Sequence, residues 1–454
     1  MSTSITTINP YNLKELKSYK IQSKEDVLKS LDQADKAFNT WKLVEIDDRT
    51  ALLDNVAQIL EDKKEVFALL MTQEMGKPIS ESRAEIEKCI TLCDFYAENA
   101  EDFLSDELIE TEAHESFISY DPLGTILAVM PWNYPFWQVF RFAIPNLTAG
   151  NTALLKHASN VTGCALAIEN IFKEAGYPDN VFQTLVTQHD TIEALITQDK
   201  LKAVTLTGSE PAGKSIAKQC GELLKKTVLE LGGNNACIVL DDADLETYLD
   251  DMVSARFQNT GQSCIAAKRF IVTEGIYDTF LDKFIKKVRA LKIGNPEKDT
   301  TRVSVLARPD LAVSLKQKVD ISIKQGANLI FGNDVLDAYF APTILTEVTE
   351  DMPVFSEETF GPVAAIIKVK DEDEAYKLAT NSRFGLGTMV FTKNINAAKK
   401  KIITIPDGAF FINSMVKSDA RLPFGGTKAS GYGRELSKEG MLEFLNIKTV
   451  LIKK

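Results

Sequence analysis

Three residues in this chain sit where their chemistry would be usable. Cys264 lies in NTGQSCIAAKRF, residues 259–270, a polar, turn-prone stretch that runs into a strand-like one. The other five cysteines (Cys89, Cys93, Cys164, Cys220 and Cys237) fall in apolar helical or strand-like patterns, where a free thiol is usually buried filler. Cys264 is therefore the candidate nucleophile. Glu230 stands in LELGGNNACIVL, residues 229–240, otherwise apolar and glycine-rich ahead of a strand. Desolvation there would raise its pKa toward the range of a general base, and the other reading is a structural ion pair. Asn133 follows an apolar run in MPWNYPFW. Its amide could donate to a developing oxyanion, while the aromatics around it also read as packing.

Loops of glycine and proline come next. In KAVTLTGSEPAG, residues 202–213, a β-rich run ends at Gly208, Ser209 can cap a helix, and Pro211 falls where a first-turn proline is tolerated. A glycine turn feeding a helix start offers free N–H groups to an anion. The spacing is not GxGxxG, and an ordinary strand-to-helix turn is the alternative. SEETFGPV (356–363) and RLPFGGTKASGYGRE (421–435) are loops with charged residues at fixed places, where functional groups tend to sit. Cys89 and Cys93 are one helical turn apart, but with three histidines (His114, His157, His189) and no second pair, no metal site is expected.

These residues need elements to hold them. From Lys24 to Glu101 apolar residues recur three and four apart, and Ser23 with Asp26 makes a helix start, so this segment reads as a helical scaffold. From about Ile118 the period changes. TILAVM, TALLKH, VFQTLV, KAVTLTG and ACIVL are strand-like and alternate with helical stretches. A second series after Asp241 contains RFIVTEG, GANLIFG and PVAAIIKV. Such alternation implies βαβ units and mainly parallel sheets, here two α/β units joined near residue 235. The 454 residues exceed one hydrophobic core, and 44% apolar with 26% charged is an ordinary globular mix. A net charge of −12, with acidic residues dispersed, speaks against nucleic acid or an anionic membrane as partner. No apolar run reaches the ~20 residues that a bilayer requires. The first twenty residues lack an apolar signal core, and the sparse cysteines form no disulfide framework, so a cytoplasmic, reduced setting is expected.

PWN, TGS, ELGG, GQSC, EETFGP and PFGG occur in that order, and together they resemble the aldehyde dehydrogenase superfamily, from Asn9-Pro10-Tyr11 to NIKTVLI. NTGQSCIAAKRF and SDARLPFGGTKASGYGRELS are similar to the versions in compact bacterial succinate-semialdehyde dehydrogenases. The resemblance implies an α/β fold in three parts. These are a Rossmann-like NAD(P)-binding domain (1–107 and 125–235), a catalytic α/β domain (236–420), and a small β oligomerisation extension (108–124 and 436–454) that completes a sheet in a homodimer or homotetramer. It also implies a mechanism. The Cys264 thiolate attacks an aldehyde to give a thiohemiacetal, and Asn133 and the Cys264 N–H hold the oxyanion. Hydride passes to the nicotinamide, and Glu230 activates the water that hydrolyses the thioester.

By the same resemblance Glu358 holds the nicotinamide ribose and Lys156 the adenosine ribose. Ser209 and the helix start after it meet the pyrophosphate, Trp132 and Gly232 line the nicotinamide end, and Ser159, Gly208 and Phe360 also belong to the cofactor site. Arg141 and Ser418 would meet the substrate. Two departures from the family matter. His157-Ala158-Ser159 has no carboxylate where the family often carries a glutamate for the 2′- and 3′-hydroxyls, so a 2′-phosphate is not repelled and both NADP and NAD are expected cofactors. Gln258, six before Cys264, replaces the second of two arginines that better-known relatives use for a substrate carboxylate. Arg141, the only charge in WQVFRFAIPNL, would then carry that contact, unless it is a buried partner of a structural carboxylate. Ala266 rules out a local disulfide with Cys264. Two rival chemistries are a thioester resolved by CoA, which Glu230 argues against, and a cofactor-free thiol hydrolase, which would need a histidine beside Cys264.

Overall fold

The computed structural model describes residues 3–454; Met1 and Ser2, at the start of the expected 1–107 segment, lie outside the described residues. The helical lead-in consists of Lys24–Trp41, Ile46–Asp62, Lys64–Met75 and Ile79–Leu104. Its start is a capping box: Asp26 N–H donates to Ser23 Oγ at 3.1 Å, and Ser23 N–H donates to the Asp26 carboxylate at 3.2 Å. Ahead of it is a hairpin the sequence pattern did not reveal, Ser4–Ile8 paired with Glu15–Lys20, largely exposed and without a clean apolar alternation. Cys89 and Cys93 are buried in the longest helix, and all six cysteines are free.

The strand-like runs fold into two large sheets. The first has the order Gly431–Tyr432, Lys226–Glu230, Leu201–Thr207, Thr125–Met130, Thr152–His157, Phe182–Thr184; all pairings are parallel except that of the Gly431–Tyr432 edge. The second has seven strands, with Asn235–Val239 and Ala267–Thr273 at its middle and only Asn328–Phe331 antiparallel. Every residue of those two middle strands is buried, as expected where helices cover both faces of a parallel sheet. A third, three-stranded sheet joins Leu445–Ile452 to Glu115–Pro122 over eight paired positions and to Glu107–Leu108.

This topology positions the site. From Thr125–Met130 the first sheet grows to one side (152–157, then 182–184) and afterwards to the other (201–207, then 226–230). The order therefore reverses between Thr125–Met130 and Leu201–Thr207, and open α/β sheets bind ligands at the carboxyl ends of strands at such a point. Met130 leads there into Trp132 and Asn133, Thr207 leads into Gly208 and Ser209, and Glu230 ends its own strand. Only Leu231–Asn234 separate Glu230 from the first strand of the second sheet. The carboxyl edge of one sheet thus abuts the amino edge of the other, where Cys264 precedes Ala267–Thr273.

Candidate functional site

The loop that carries Cys264 is held in a costly backbone conformation. Asn259, Thr260 and Gly261 have φ of +54°, +53° and +75°, three consecutive left-handed residues. For Asn and Thr this costs of order 1–3 kcal/mol each, so the surroundings must impose it. They do. The Asn259 N–H donates to Glu81 at 2.6 Å, its side-chain amide to the Asn133 carbonyl at 2.7 Å, and Arg256 to the Gly261 carbonyl at 2.7 Å. The Ser304 N–H donates to Thr260 Oγ1 at 3.1 Å, and a Cβ at Gly261 would strike the Gly361 backbone. Asn133 itself donates to the Gln262 carbonyl at 3.2 Å. The candidate oxyanion residue and the candidate nucleophile loop are therefore joined directly.

Cys264 is partly exposed to a cavity, and its backbone is clamped from below. Fully buried Lys268 donates to the Ser263 and Cys264 carbonyls, both at 2.8 Å, and to Glu358 Oε1 at 2.9 Å; Asn235 also donates to the Cys264 carbonyl at 2.9 Å. Burial pushes the thiol up to about 11. The Lys268 and Arg141 cations oppose that shift, while Glu358 and Glu230 add to it. Glu230 is buried, and its carboxyl is pushed well above the usual range, first by desolvation and then by Glu435. Its Oε1 has no hydrogen-bond partner, and no ion pair to it exists among the described residues, so the alternative of a satisfied structural pair is not what the fold contains. A carboxyl raised in this way is, once ionised, a stronger base than a solvated one. No histidine hydrogen-bonds Cys264 among the described residues. His157, pushed down to about 4 by burial, has its Nδ1 3.1 Å from the Met130 carbonyl and its Nε2 2.9 Å from the Pro135 carbonyl, which ties down the Trp132–Asn133 loop.

The cavity beside Cys264 has a volume of about 180 Å³, room for a small molecule of several heavy atoms. Arg141, Gln258 and Ser418 line it, as do Lys88, Glu81 and Glu85. Arg141 is buried, forms an ion pair with Glu435, and lies 4.6 Å from the Phe424 ring centre. The structural carboxylate considered from the sequence is thus present, and the same arginine also walls the cavity. Ser418 Oγ accepts from Lys88 Nζ at 2.6 Å. Sequence reasoning missed Lys88, Lys268 and Glu435. Lys268 left a trace, a lysine beside Arg269 at the head of a largely apolar strand, four residues past Cys264. Lys88 left none, since it sits in an amphipathic helix like any surface lysine.

On the other side of Cys264 are the residues expected to meet a dinucleotide. Trp132 and Phe360 pack edge to face with ring centres 5.7 Å apart. A Cβ at Gly232 would collide with Glu358, whose carboxylate also accepts from the Gly233 N–H at 3.1 Å. Gly208 N–H donates to the Glu230 carbonyl at 2.9 Å. Ser209 occupies the N-cap position of helix Glu210–Glu222, but its side chain makes no capping bond, contrary to the capping role its sequence allowed; the chain brings Pro211 and Glu210 into the first turn instead. Ser159 is exposed at the start of a short turn of 3₁₀ helix. Lys156 is buried at a strand end, its pKa lowered by that burial, with no ion pair among the described residues. An unpaired buried cation and an uncapped helix N-terminus along one edge fit an anionic dinucleotide. Among the described residues no cluster of three or more His, Cys, Asp or Glu could hold a metal. No described helix is long and apolar enough to cross a membrane.

Two mainly parallel α/β sheets thus meet edge to edge over a clamped thiol and a buried carboxyl, the frame of a cysteine-centred enzyme. The aldehyde dehydrogenase family profile matches residues 1–450, and the chain belongs to that family. A protein of Synechocystis sp. named probable succinate-semialdehyde dehydrogenase, NADP(+), is 48% identical over 452 residues, covering 99% of this chain and 100% of that protein. Succinate semialdehyde dehydrogenase, NAD(P)+, of Escherichia coli is 44% identical over 452 residues, covering 99% of this chain and 98% of its own. Among solved structures, succinic semialdehyde dehydrogenase from Streptococcus pyogenes in complex with NADP+ superposes with a TM-score of 0.97 at 36% identity, over 99% of this chain and all of the other.

Proposed function

We propose that this chain oxidises a small carboxylate-bearing aldehyde, succinate semialdehyde foremost, to the acid, with NADP or NAD as hydride acceptor. The observation that carries this reading is the placement of Cys264 in a small cavity whose wall holds Arg141, Lys88 and Ser418. The wall's carboxylates are already engaged: Glu85 by Lys77 and by the Phe136 and Trp137 N–H groups, Glu81 by the Asn259 N–H. The names of the relatives support the same substrate and cofactors.

In this reading Cys264 Sγ adds to the aldehyde carbon, and the Asn133 amide and Cys264 N–H receive the oxyanion of the thiohemiacetal. Lys268 and Arg141 favour the thiolate. Bound NADP or NAD supplies the acceptor for the hydride that leaves that carbon. Glu230 then takes a proton from water as it attacks the thioester, which releases the acid and restores the thiol. Lys156 and the helix start at Gly208 and Ser209 would hold the dinucleotide, with Trp132, Gly232, Glu358 and Phe360 toward its nicotinamide end. The bare Ser159 leaves room for a 2′-phosphate.

The segments 1–107 and 125–235 act as the cofactor unit and 236–420 as the catalytic unit. Exposed Leu108, Ile447 and Leu451 on the three-stranded sheet of 108–124 and 436–454 support pairing with a second copy, in a homodimer or homotetramer. A cytoplasmic setting suits the free thiol. The test is direct: succinate semialdehyde with NADP, and separately with NAD, should generate reduced nicotinamide, and absence of reduction with both cofactors would sink the reading.

A further inference from the structure

The cavity at Cys264 and an outer hollow of about 450 Å³ share Lys88, Trp137 and Ser418, so these three residues form the partition between the nucleophile and the surface. Lys88 Nζ stands on that partition. It donates to neutral Ser418 Oγ at 2.6 Å and lies 4.1 Å from the Trp137 ring centre, but among the described residues no carboxylate forms an ion pair with it. Several neighbouring charges differ in this respect. Arg141 is paired with Glu435, Glu85 with Lys77, and Asp419 with Arg421 at 2.7 Å. A cation withdrawn from water without a counterion is unfavourable unless something else compensates it. Burial, and then the Arg141 charge, push the Lys88 amine down to about 8. Glu85 and Asp419 oppose that shift from beyond ion-pair distance, and an anion arriving in the cavity would add to them.

We propose that Lys88, together with Ser418, receives the carboxylate at the far end of the substrate and so separates acid-bearing semialdehydes from plain alkanals. This rests on the aldehyde-oxidation reading above, and it moves the deciding contact from Arg141, already paired, to a residue nine positions into the helix that starts at Ile79. Ammonium and hydroxyl offer several donors to two carboxylate oxygens, and the Trp137 face keeps the amine in place.

The experiment compares wild type, Lys88→Met and Lys88→Arg with succinate semialdehyde and with butanal, using NADP. The quantity read is the ratio of kcat/KM for the acid-bearing aldehyde to that for butanal. It should fall about 10- to 150-fold in Lys88→Met, chiefly through KM, and recover in large part in Lys88→Arg. Succinate should also raise the melting temperature of wild type and not that of Lys88→Met, a readout independent of turnover. An unchanged ratio in a folded Lys88→Met, or equal stabilisation of both proteins by succinate, would overturn the proposal while leaving aldehyde oxidation intact. If Lys88→Met does not fold, Lys88→Gln takes its place with the same expected ratio. Failure of wild type to oxidise either aldehyde would instead defeat the parent reading.

Discussion

The inner and outer ends of the cavity use similar residue types and treat charge differently. At the inner end Lys268 is held by Glu358 and two carbonyls, and Arg141 by Glu435, all of them buried or nearly so. At the outer end Lys88 has a hydroxyl and an aromatic face, and among the described residues no carboxylate within ion-pair distance. A paired buried charge holds the machinery in place and tunes its field, since Lys268 and Arg141 both favour the Cys264 thiolate. An unpaired one is left open to a ligand. Position on the cavity wall therefore does not by itself identify the residue that selects the substrate; the state of its charge does.

The comparison can be broken at several points. Cys264→Ala, at the innermost point, should lower aldehyde oxidation by more than roughly 10⁴-fold with nucleotide affinity preserved in a direct titration, because in the proposed mechanism the thiol forms the covalent bond and does not hold the cofactor. Glu230→Gln should reduce steady-state turnover by about 10²- to 10⁴-fold. Rapid mixing should still give up to one equivalent of reduced nicotinamide per site before the stall, and normal steady-state rates would remove Glu230 from its role. Arg141→Met leaves Glu435 buried without a counterion, so about 3–5 kcal/mol of stability should be lost, read by denaturant unfolding. Succinate semialdehyde and butanal should suffer alike, and a loss confined to the semialdehyde would make Arg141 the selecting cation after all. Ser159→Glu should lower the NADP-to-NAD ratio of kcat/KM roughly tenfold, through repulsion of a 2′-phosphate.

The smallest effect is one of pH. Lys88, at about 8, faces Glu81 and Glu85 of its own helix, Arg141 of Trp137–Thr148, and Lys417 and Asp419 of the loop opposite; Cys89 is its chain neighbour. The amine is cationic below that value, so the proposed preference for the acid-bearing aldehyde should be present at neutral pH and be lost as pH rises through 8. At one unit above, roughly a tenth of the amine keeps its proton, and the semialdehyde-to-butanal ratio should fall by up to about tenfold. Glu81, pushed up to about 7 by burial, has finished titrating by then, and Cys264 and Glu230 act on both aldehydes and cancel in the ratio.

Much of the framework was legible because parallel strands buried on both faces must be continuous apolar runs. TILAVM, TALLKH and KAVTLTG each became a strand with its carboxyl end at the site. The capping box at Ser23 was legible for the same reason, being local. The hairpin Ser4–Ile8 with Glu15–Lys20 was not, since it lies on the surface and carries little apolar alternation. Cys264, Glu230 and Asn133 stood out through unusual surroundings. Lys88 and Glu435 could not, because what distinguishes them is which remote residue each faces: Ser418 is 330 positions from Lys88 in the chain. Such pairings are fixed by tertiary packing and leave no local pattern.

The edge strand Gly431–Tyr432 has a consequence for how the molecule comes into being. It pairs in register with Leu229–Glu230, and Ser430 donates to the Gly232 carbonyl at 2.6 Å from 198 positions away. A growing chain that has emerged only as far as residue 420 has Cys264, Asn133 and Glu230 all outside the ribosome. It still lacks the strand that flanks Glu230, the Glu435 that pairs with Arg141, and the strand 445–452 that closes the third sheet. Contacts so remote in sequence form late and slowly. Nascent chains arrested at 420 should therefore carry a thiol that alkylating reagents reach and no competence for turnover, so that the reactive cysteine is exposed for a time before its machinery is assembled.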